Sequence, residues 1–304
     1  MLIPYAIEIR TMSENPASLT EIVVLLMNPA AYNDKSMRPK QSLGQNFLLN
    51  GQIAERIVAS ACVTPDETVL EVGPGLGILT ALLAREAKQL IAVEKDDDLF
   101  AVLIRKFDGF NNLRLVHADI LDLDLNELIP EKTKLVANLP YNIASQLIIR
   151  LIEHARNLTL VVVMVQKEVG QRICAQPGTH AYSALSVLVD SVFQATPGFI
   201  VSPKNFSPQP KVDSMVLKLT PKLDPINSRD MAYFKKSVYC AFAQRRKMLK
   251  NSLINLPMLK PHLLQELAER AGIKLNQRPQ NLTSQDFYRI AQAYQDFIID
   301  IQTV

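Results

Sequence analysis

From Thr68 onward the chain alternates short β-branched runs with longer helical patterns, and this alternation limits the fold more than any other feature, because it is the mark of parallel βαβ units. Strands are expected at Thr68 to Val72, Gln89 to Glu94, Leu113 to Ala118, Lys134 to Asn138 and Leu158 to Gln166, with helices near Ile78 to Lys88, Asp97 to Phe107 and Ile143 to His154. Two further runs, Gly198 to Val201 and Asp213 to Leu219, flank the Pro-rich Ser202 to Pro210 and read as a closing hairpin. Strands joined that way are antiparallel, so the expected sheet has seven strands and is mixed.

After Pro221 no further strand is apparent. Helical patterns cover Met231 to Leu256, Pro261 to Ala271 stopped by Gly272, and a last helix from Ser284 capped by Thr283 or Ser284. The expected organisation is therefore an α/β domain over residues 37–222 and a smaller all-helical domain over 223–304. Residues 1–36 carry no sustained period and read as a poorly ordered leader upstream of a natural start at Met37.

Charge follows the same division. The net charge is only +3, yet Lys204 to Lys260 holds twelve Lys or Arg against three Asp, an excess of nine, so the rest of the 304-residue chain sums to −6. Concentrated basic charge speaks to partners rather than fold. The three cysteines, Cys62, Cys174 and Cys240, are widely spaced and form no Cys-x-x-Cys pattern, so neither a disulfide framework nor a metal site is expected, and a reducing cytoplasm fits. The apolar run Ile22 to Met27 is far shorter than the ~20 residues of a membrane span, and no membrane association is expected.

Glu71-Val72-Gly73-Pro74-Gly75-Leu76-Gly77 follows a strand and opens a helix, and its glycines let backbone approach a ligand closely. A dinucleotide fingerprint would need a third glycine at the sixth position counted from Gly73, where Ile78 stands. The loop therefore favours a methyl donor over a dinucleotide, without deciding the matter alone. Glu94 ends the second strand, where an acid can accept both ribose hydroxyls, and Asp119 follows the third, where it can bond an adenine amine. Both could also be ordinary loop acids, as the neighbouring Asp96, Asp97 and Asp98 illustrate.

The fourth strand ends in Asn138-Leu139-Pro140-Tyr141. An exocyclic adenine amine is a poor nucleophile because its lone pair is delocalised into the ring. Hydrogen bonds to the Asn138 side-chain oxygen and the Leu139 carbonyl would localise that pair, Tyr141 would stack on the base, and Pro140 would fix the turn. Later, Gln244-Arg245-Arg246-Lys247 and Lys250 lie in a helical pattern and can present cations to phosphate. A solvated helix face is the alternative.

With these residues in view, the chain resembles the bacterial 16S ribosomal RNA adenine dimethyltransferases associated with kasugamycin sensitivity, which are related to the eukaryotic Dim-type enzymes. The resemblance runs from about Lys40 to Ile290 and is specific at Leu43 to Leu48, the glycine loop, Asn138 to Asn142, Gln166 to Val169, Phe206 to Ser214 and Gln244 to Lys247. It implies a class I methyltransferase, Rossmann-like fold that uses S-adenosylmethionine as methyl donor. It implies donor contacts from Asn46, Leu48, Gly73, Gly75, Glu94, Asp119 and Asn138, and acceptor contacts from Asn138, Leu139 and Tyr141. Phe206 would flank the target adenine opposite Tyr141; the alternative for Phe206 is a core aromatic. The implied partner is 16S rRNA in an assembling small subunit, bound by a monomer through Arg245, Arg246, Lys247 and Lys250. Two other readings remain: a 23S rRNA methyltransferase of the erythromycin-resistance type, and a non-catalytic ribosome-assembly factor.

Overall fold

The computed structural model describes residues 39–40, 43–227 and 229–302; the leader, 1–36, lies outside them. A two-residue strand β1 (Phe47–Leu48) precedes β2 (Thr68–Val72), β3 (Gln89–Glu94), β4 (Leu113–His117), β5 (Thr133–Asn138), β6 (Leu158–Gln166), β7 (Phe193–Val201), the short β8 (Phe206–Ser207) and β9 (Ser214–Pro221). Seven of these form one sheet in the order β4-β3-β2-β5-β6-β9-β7. The first five of that order run parallel, and β9 runs antiparallel to β6. The sheet is mixed, as the Pro-rich connection requires.

Strands buried on both faces read as continuous apolar runs, and Val161 to Val165 of β6 are all fully buried. The chain goes from β2 to β3 on one side and later returns to β5 on the other, so the order reverses between β2 and β5. A crevice opens at the carboxyl ends of strands at such a reversal. That is where the glycine loop after β2 and the tetrapeptide after β5 meet.

Helices cap locally. Asp96 accepts from the backbone N–H of Asp98 at 2.9 Å and of Leu99 at 3.2 Å to start the helix Asp97–Lys106, whose acids fall in the first turn and bases in the last. The helix Gly51–Ala61 lies outside the elements expected from sequence. Its signals were present: Asn50 accepts from Gln52 and Ile53, and Ala54, Ile57, Val58 and Ala61 bury one face. The short helices Lys167–Ile173 and Ala184–Asp190 were likewise not expected, and β7 begins five residues earlier than its expected start at Gly198.

The chain forms two compact units. Of the described residues, those up to Gly170 form one with Thr196–Thr220, and Gln171–Ala195 form the other with those from Pro221 onward. Gln171–Ala195 thus departs from the continuous 37–222 domain. The reason is packing: Tyr182, wholly buried, donates to the Leu282 carbonyl at 2.9 Å, and Lys222 pairs with Asp190 at 2.9 Å.

In the second unit, Gly272 ends the helix Leu264–Ala271 in the left-handed region (φ 64°), as expected. Thr283 caps the helix Ser284–Gln302, exchanging hydrogen bonds with Asp286. The single helix expected over Met231 to Leu256 is instead two, Met231–Phe242 and Leu249–Leu253, with 243–248 as a turn. Among the described residues no helix is long and apolar enough to cross a membrane.

Candidate active site

At the reversal point lies a cleft of about 970 Å³, open mouth included, walled by 43–48, the glycine loop, Glu94, Lys95, Asp119 and 138–143. Its floor is made by glycines that no other residue replaces cheaply. Gly73 (φ 67°) donates to the Val93 carbonyl at 2.9 Å, and a Cβ there would sit 3.2 Å from the Pro140 ring. A Cβ on Gly75 (φ 58°) would lie 3.1 Å from the Phe47 ring. The backbone is thereby bare toward the cleft. Lys106 clamps the loop from behind, its ammonium donating to the Leu76 carbonyl at 2.7 Å, and burial lowers its pKa to about 8.

Glu94 stands at the end of β3, nearly buried. Its Oε1 accepts from the N–H groups of Lys95 and Asp96, each at 2.9 Å, and Oε2 accepts from Gly75 at 3.2 Å. Burial pushes its pKa up and those three N–H groups oppose the rise. A carboxylate offers about four acceptor sites, so the expected grip on two ribose hydroxyls narrows to a single site on Oε2.

Asp119 bonds the Leu121 N–H at 2.9 Å through Oδ1 and the Lys95 ammonium at 2.7 Å through Oδ2. Burial pushes its carboxyl up, but the hydrogen bonds from Lys95 and the Leu121 N–H, together with the charges of Lys95 and Arg150, hold it below the usual range. One acceptor site remains on each oxygen for an adenine amine. Lys95 carries no signal beyond its charge that sequence reasoning could have used.

Asn138 ends β5, and its Nδ2 donates to the Asn46 carbonyl at 3.2 Å. That bond orients the amide and leaves Oδ1 without a partner among the described residues. The Leu139 N–H goes to Met164 at 3.1 Å, while its carbonyl likewise accepts from no described group. Two unspent acceptors therefore stand side by side. Pro140 closes the turn by accepting from Ile143 at 3.2 Å and Ala144 at 3.1 Å, which starts the helix Ala144–Leu151.

The Tyr141 hydroxyl shares a 2.6 Å hydrogen bond with the buried Ser214, the first residue of β9. Burial raises the phenol's pKa, so it stays neutral near pH 7. In sequence Ser214 is only the end of the Phe206 to Ser214 motif; in the fold it holds the ring that lines the cleft.

Asn46 and Leu48 line the cleft. Asn46 also donates to the Gly44 carbonyl at 3.1 Å. Gln45, which donates to Asp96 at 3.0 Å, and Lys40, whose ammonium lies 2.9 Å from both Asp96 and Asp98, tie this segment down.

Phe206 departs from its expected exposed place opposite Tyr141. It is 2% exposed, belongs to the hydrophobic core and does not line the cleft. Pairing of β8 with β1, Phe206 opposite Leu48, turns the ring inward. The core-aromatic alternative is the correct one for this conformation.

The four expected RNA contacts sit on the 243–248 turn and the helix that follows, not on one continuous helical stripe. Arg246, Lys247 and Lys250 are exposed, whereas Arg245 is half-buried and donates to the His180 carbonyl.

A family model described as ribosomal RNA adenine dimethylase matches residues 36–296. This chain belongs to that family. It is 43% identical over 265 residues to the ribosomal RNA small subunit methyltransferase A of Ligilactobacillus salivarius, covering 84% of this chain and 89% of that one. It is 40% identical over 257 residues to the protein of the same name from Geobacter sulfurreducens, covering 83% and 93%. Among solved structures, a dimethyladenosine transferase from Plasmodium falciparum superposes with a TM-score of 0.69 at 26% identity, covering 81% of this chain and 96% of that one. The 23S rRNA methyltransferase ErmE superposes with 0.62 at 25% identity, covering 82% and 100%. The family member is an S-adenosylmethionine-dependent rRNA methyltransferase of the class I fold.

The cleft fits that donor. Beside the bare glycine backbone, Glu71 is 1% exposed and its Oε2 has no hydrogen-bond partner among the described residues, which suits the amino-acid end of the donor. Burial pushes the Glu71 carboxyl up to about 8, tempered by Thr80 and reinforced by the charge of Glu94. Its folded pKa is thus raised, and the folded state holds a proton that the unfolded chain has released. The stability from this group is full below about pH 4.5 and is lost as pH rises toward 8. Glu71→Gln, permanently neutral, is expected to flatten the fall in melting temperature between pH 5 and 8. Parallel curves for wild type and variant would refute this account of Glu71.

Proposed function

We propose that this protein transfers methyl groups from S-adenosylmethionine to the N6 atoms of two adjacent adenines in the 3′-terminal hairpin of 16S rRNA, giving N6-dimethyladenosines while the small subunit assembles. It acts as a monomer in the cytoplasm. The observation that carries this reading is the pair of unspent acceptors, Asn138 Oδ1 and the Leu139 carbonyl, beside the glycine loop.

Gly73, Gly75, Glu94, Asp119, Asn46, Leu48 and Asn138 would hold the donor, which supplies an electrophilic methyl on a sulfonium. The chain's own task is orientation. Asn138 and Leu139 accept the two N6 protons and draw the nitrogen's lone pair out of conjugation. Tyr141, fixed by Ser214, offers its face to the base. No carboxylate need serve as base, since the amine gains charge only as the methyl arrives and sheds a proton afterwards. The target adenine leaves its stack, or is already unpaired, to reach Asn138. Arg246, Lys247 and Lys250 contact phosphate, which positions the RNA without reading its sequence.

Immature small subunits from a strain lacking the activity, incubated with the protein and labelled S-adenosylmethionine, are expected to gain N6-dimethyladenosine at two neighbouring positions near the 3′ end. Mass mapping of the modified nucleotides decides it. Label in large-subunit RNA alone would favour the reading supported by the ErmE superposition, against which stand the 43% and 40% identities to small-subunit enzymes. No label at all would leave a non-catalytic assembly factor.

A further inference from the structure

The stretch 231–265 contains seven Lys or Arg and no Asp or Glu. It also holds Tyr239, Met248, Ile254 and Met258, half of the large apolar side chains exposed among the described residues. Acid-free cationic chain interleaved with exposed apolar groups is the composition of a nucleic-acid surface.

Within this stretch a groove of about 840 Å³, open mouth included, runs between the helix Met231–Phe242 and the segment ending at Pro257. Lys235, Lys236 and Tyr239 form one wall, and Gln244 and Asn255 contribute amides. The two walls are stitched by Cys240, whose thiol donates to the Ser252 carbonyl at 3.0 Å. Tyr239 is 46% exposed, and its hydroxyl bonds to no described residue. Asn255 spends Nδ2 on the Asn251 and Ser252 carbonyls, each at 3.2 Å, which leaves Oδ1 free as an acceptor. The Gln244 side-chain amide bonds to no described residue. The Lys236 ammonium lies 5.5 Å from the Tyr233 ring centroid.

From these residues we infer a nucleotide-binding subsite: one unpaired RNA nucleotide stacks its base on Tyr239, offers its edge to Gln244 and Asn255, and sets its flanking phosphates against Lys235 and Lys236. This deepens the proposed RNA substrate and rests on that reading. An aromatic face accepts any base, amides supply both donor and acceptor to a base edge, and cations neutralise phosphate. An acidic protein partner would use the cations but has no need of the ring and the two amides together. The subsite adds grip on RNA beside that of Arg246 and Lys247, since Lys247 donates its N–H to the Gln244 carbonyl at 2.8 Å, and it plays no part in donor binding.

The test measures binding of a fluorescein-labelled 12-nucleotide single-stranded RNA of mixed sequence across a salt series, using the full chain and its Tyr239→Ala, Tyr239→Phe and Lys236→Gln variants. Tyr239→Ala is expected to weaken binding roughly 5- to 100-fold, the range of one lost stacking contact, while Tyr239→Phe stays within about twofold of wild type. Lys236→Gln is expected to reduce the slope of log affinity against log salt by about one, the loss of one phosphate contact. Unaltered melting temperatures and S-adenosylhomocysteine affinities exclude misfolding as the cause. Wild-type affinity in Tyr239→Ala, or equal losses in the Ala and Phe variants, would overturn the subsite, and an acidic protein as the true occupant gives the first of these results. The two readings fail separately. Wild-type protein that methylates small subunits while Tyr239→Ala binds RNA normally refutes only the subsite, whereas wild-type protein that binds RNA yet methylates nothing refutes only the proposed activity.

Discussion

Asn138→Ala is expected to lower kcat for adenine methylation by on the order of 10²- to 10³-fold, the scale of losing one preorganised hydrogen-bonding group aimed at the reacting atom. Two roles meet in this side chain. Its Oδ1 is one of the two adjacent unspent acceptors at the end of β5, and without it the adenine nitrogen keeps its lone pair in the ring. Its Nδ2 holds the Asn46 carbonyl at 3.2 Å, so the substitution also loosens a segment that lines the donor cleft. The first role falls on kcat and the second on donor affinity, which is expected to drop about tenfold or less. Steady-state kinetics with immature small subunits, paired with calorimetric titration of S-adenosylhomocysteine, separate the two. Asn138→Asp sharpens the comparison, because it keeps an acceptor at Oδ1 but places a second oxygen against the Asn46 carbonyl, so donor affinity should suffer more than in the alanine variant. A kcat within about threefold of wild type in Asn138→Ala would remove this residue from the acceptor site.

Much of this site was legible because its chemistry is carried by backbone placement, which a βαβ pattern announces. Once β2, β3, β4 and β5 are assigned, Gly73, Glu94, Asp119 and Asn138 must lie at their carboxyl ends, and all four line one cleft. What stayed hidden depends on side-chain geometry across long separations. Ser214 reaches Tyr141 over 73 residues, and Lys95 reaches Asp119 over 24; neither pairing leaves a trace in local pattern. Phe206 shows the opposite failure. A Pro-rich loop suggests exposure, but two residues of strand pairing with Phe47 and Leu48 suffice to turn the ring into the core. The break after Phe242 was similarly obscured, since Ala243 to Leu249 keeps good helix formers through what is in fact a turn, and tertiary structure overrides that propensity. The helical unit was misjudged at its edge because Tyr182 finds its hydrogen-bond partner, Leu282, a hundred residues later.

Gly77→Ala is expected to be the most damaging single methyl addition to the donor loop. Gly77 caps the helix Ile78–Glu86 at φ 84°, in the left-handed region, where a Cβ costs roughly 1–2 kcal/mol. The added carbon would also stand 2.6 Å from Cε2 and 2.9 Å from Cζ of Phe107, with a Leu103 methyl at 3.2 Å. Phe107 is buried and packs edge-on against Phe110, ring centroids 5.3 Å apart, and Leu103 is fully buried, so neither has room to swing clear. Overpacking of this kind adds about 1–3 kcal/mol. Together the two effects come to roughly 2–5 kcal/mol, which for a chain of this size lowers the melting temperature by roughly 5–15 °C. Gly178→Ala supplies the control, because Gly178 also sits at φ 84° but an added Cβ there meets nothing within 4 Å. Its loss should be confined to the backbone part, roughly 1–2 kcal/mol. Melting curves of the two variants side by side therefore isolate the contact with Phe107, and equal shifts would mean that the loop yields and the ring does not constrain it. If the contact governs, the loop can relieve it only by moving Gly77 away from Phe107. Gly77 donates to the Pro74 carbonyl at 2.9 Å, so such a shift draws Pro74 and its glycine neighbours with it, and S-adenosylhomocysteine affinity should fall in Gly77→Ala but not in Gly178→Ala.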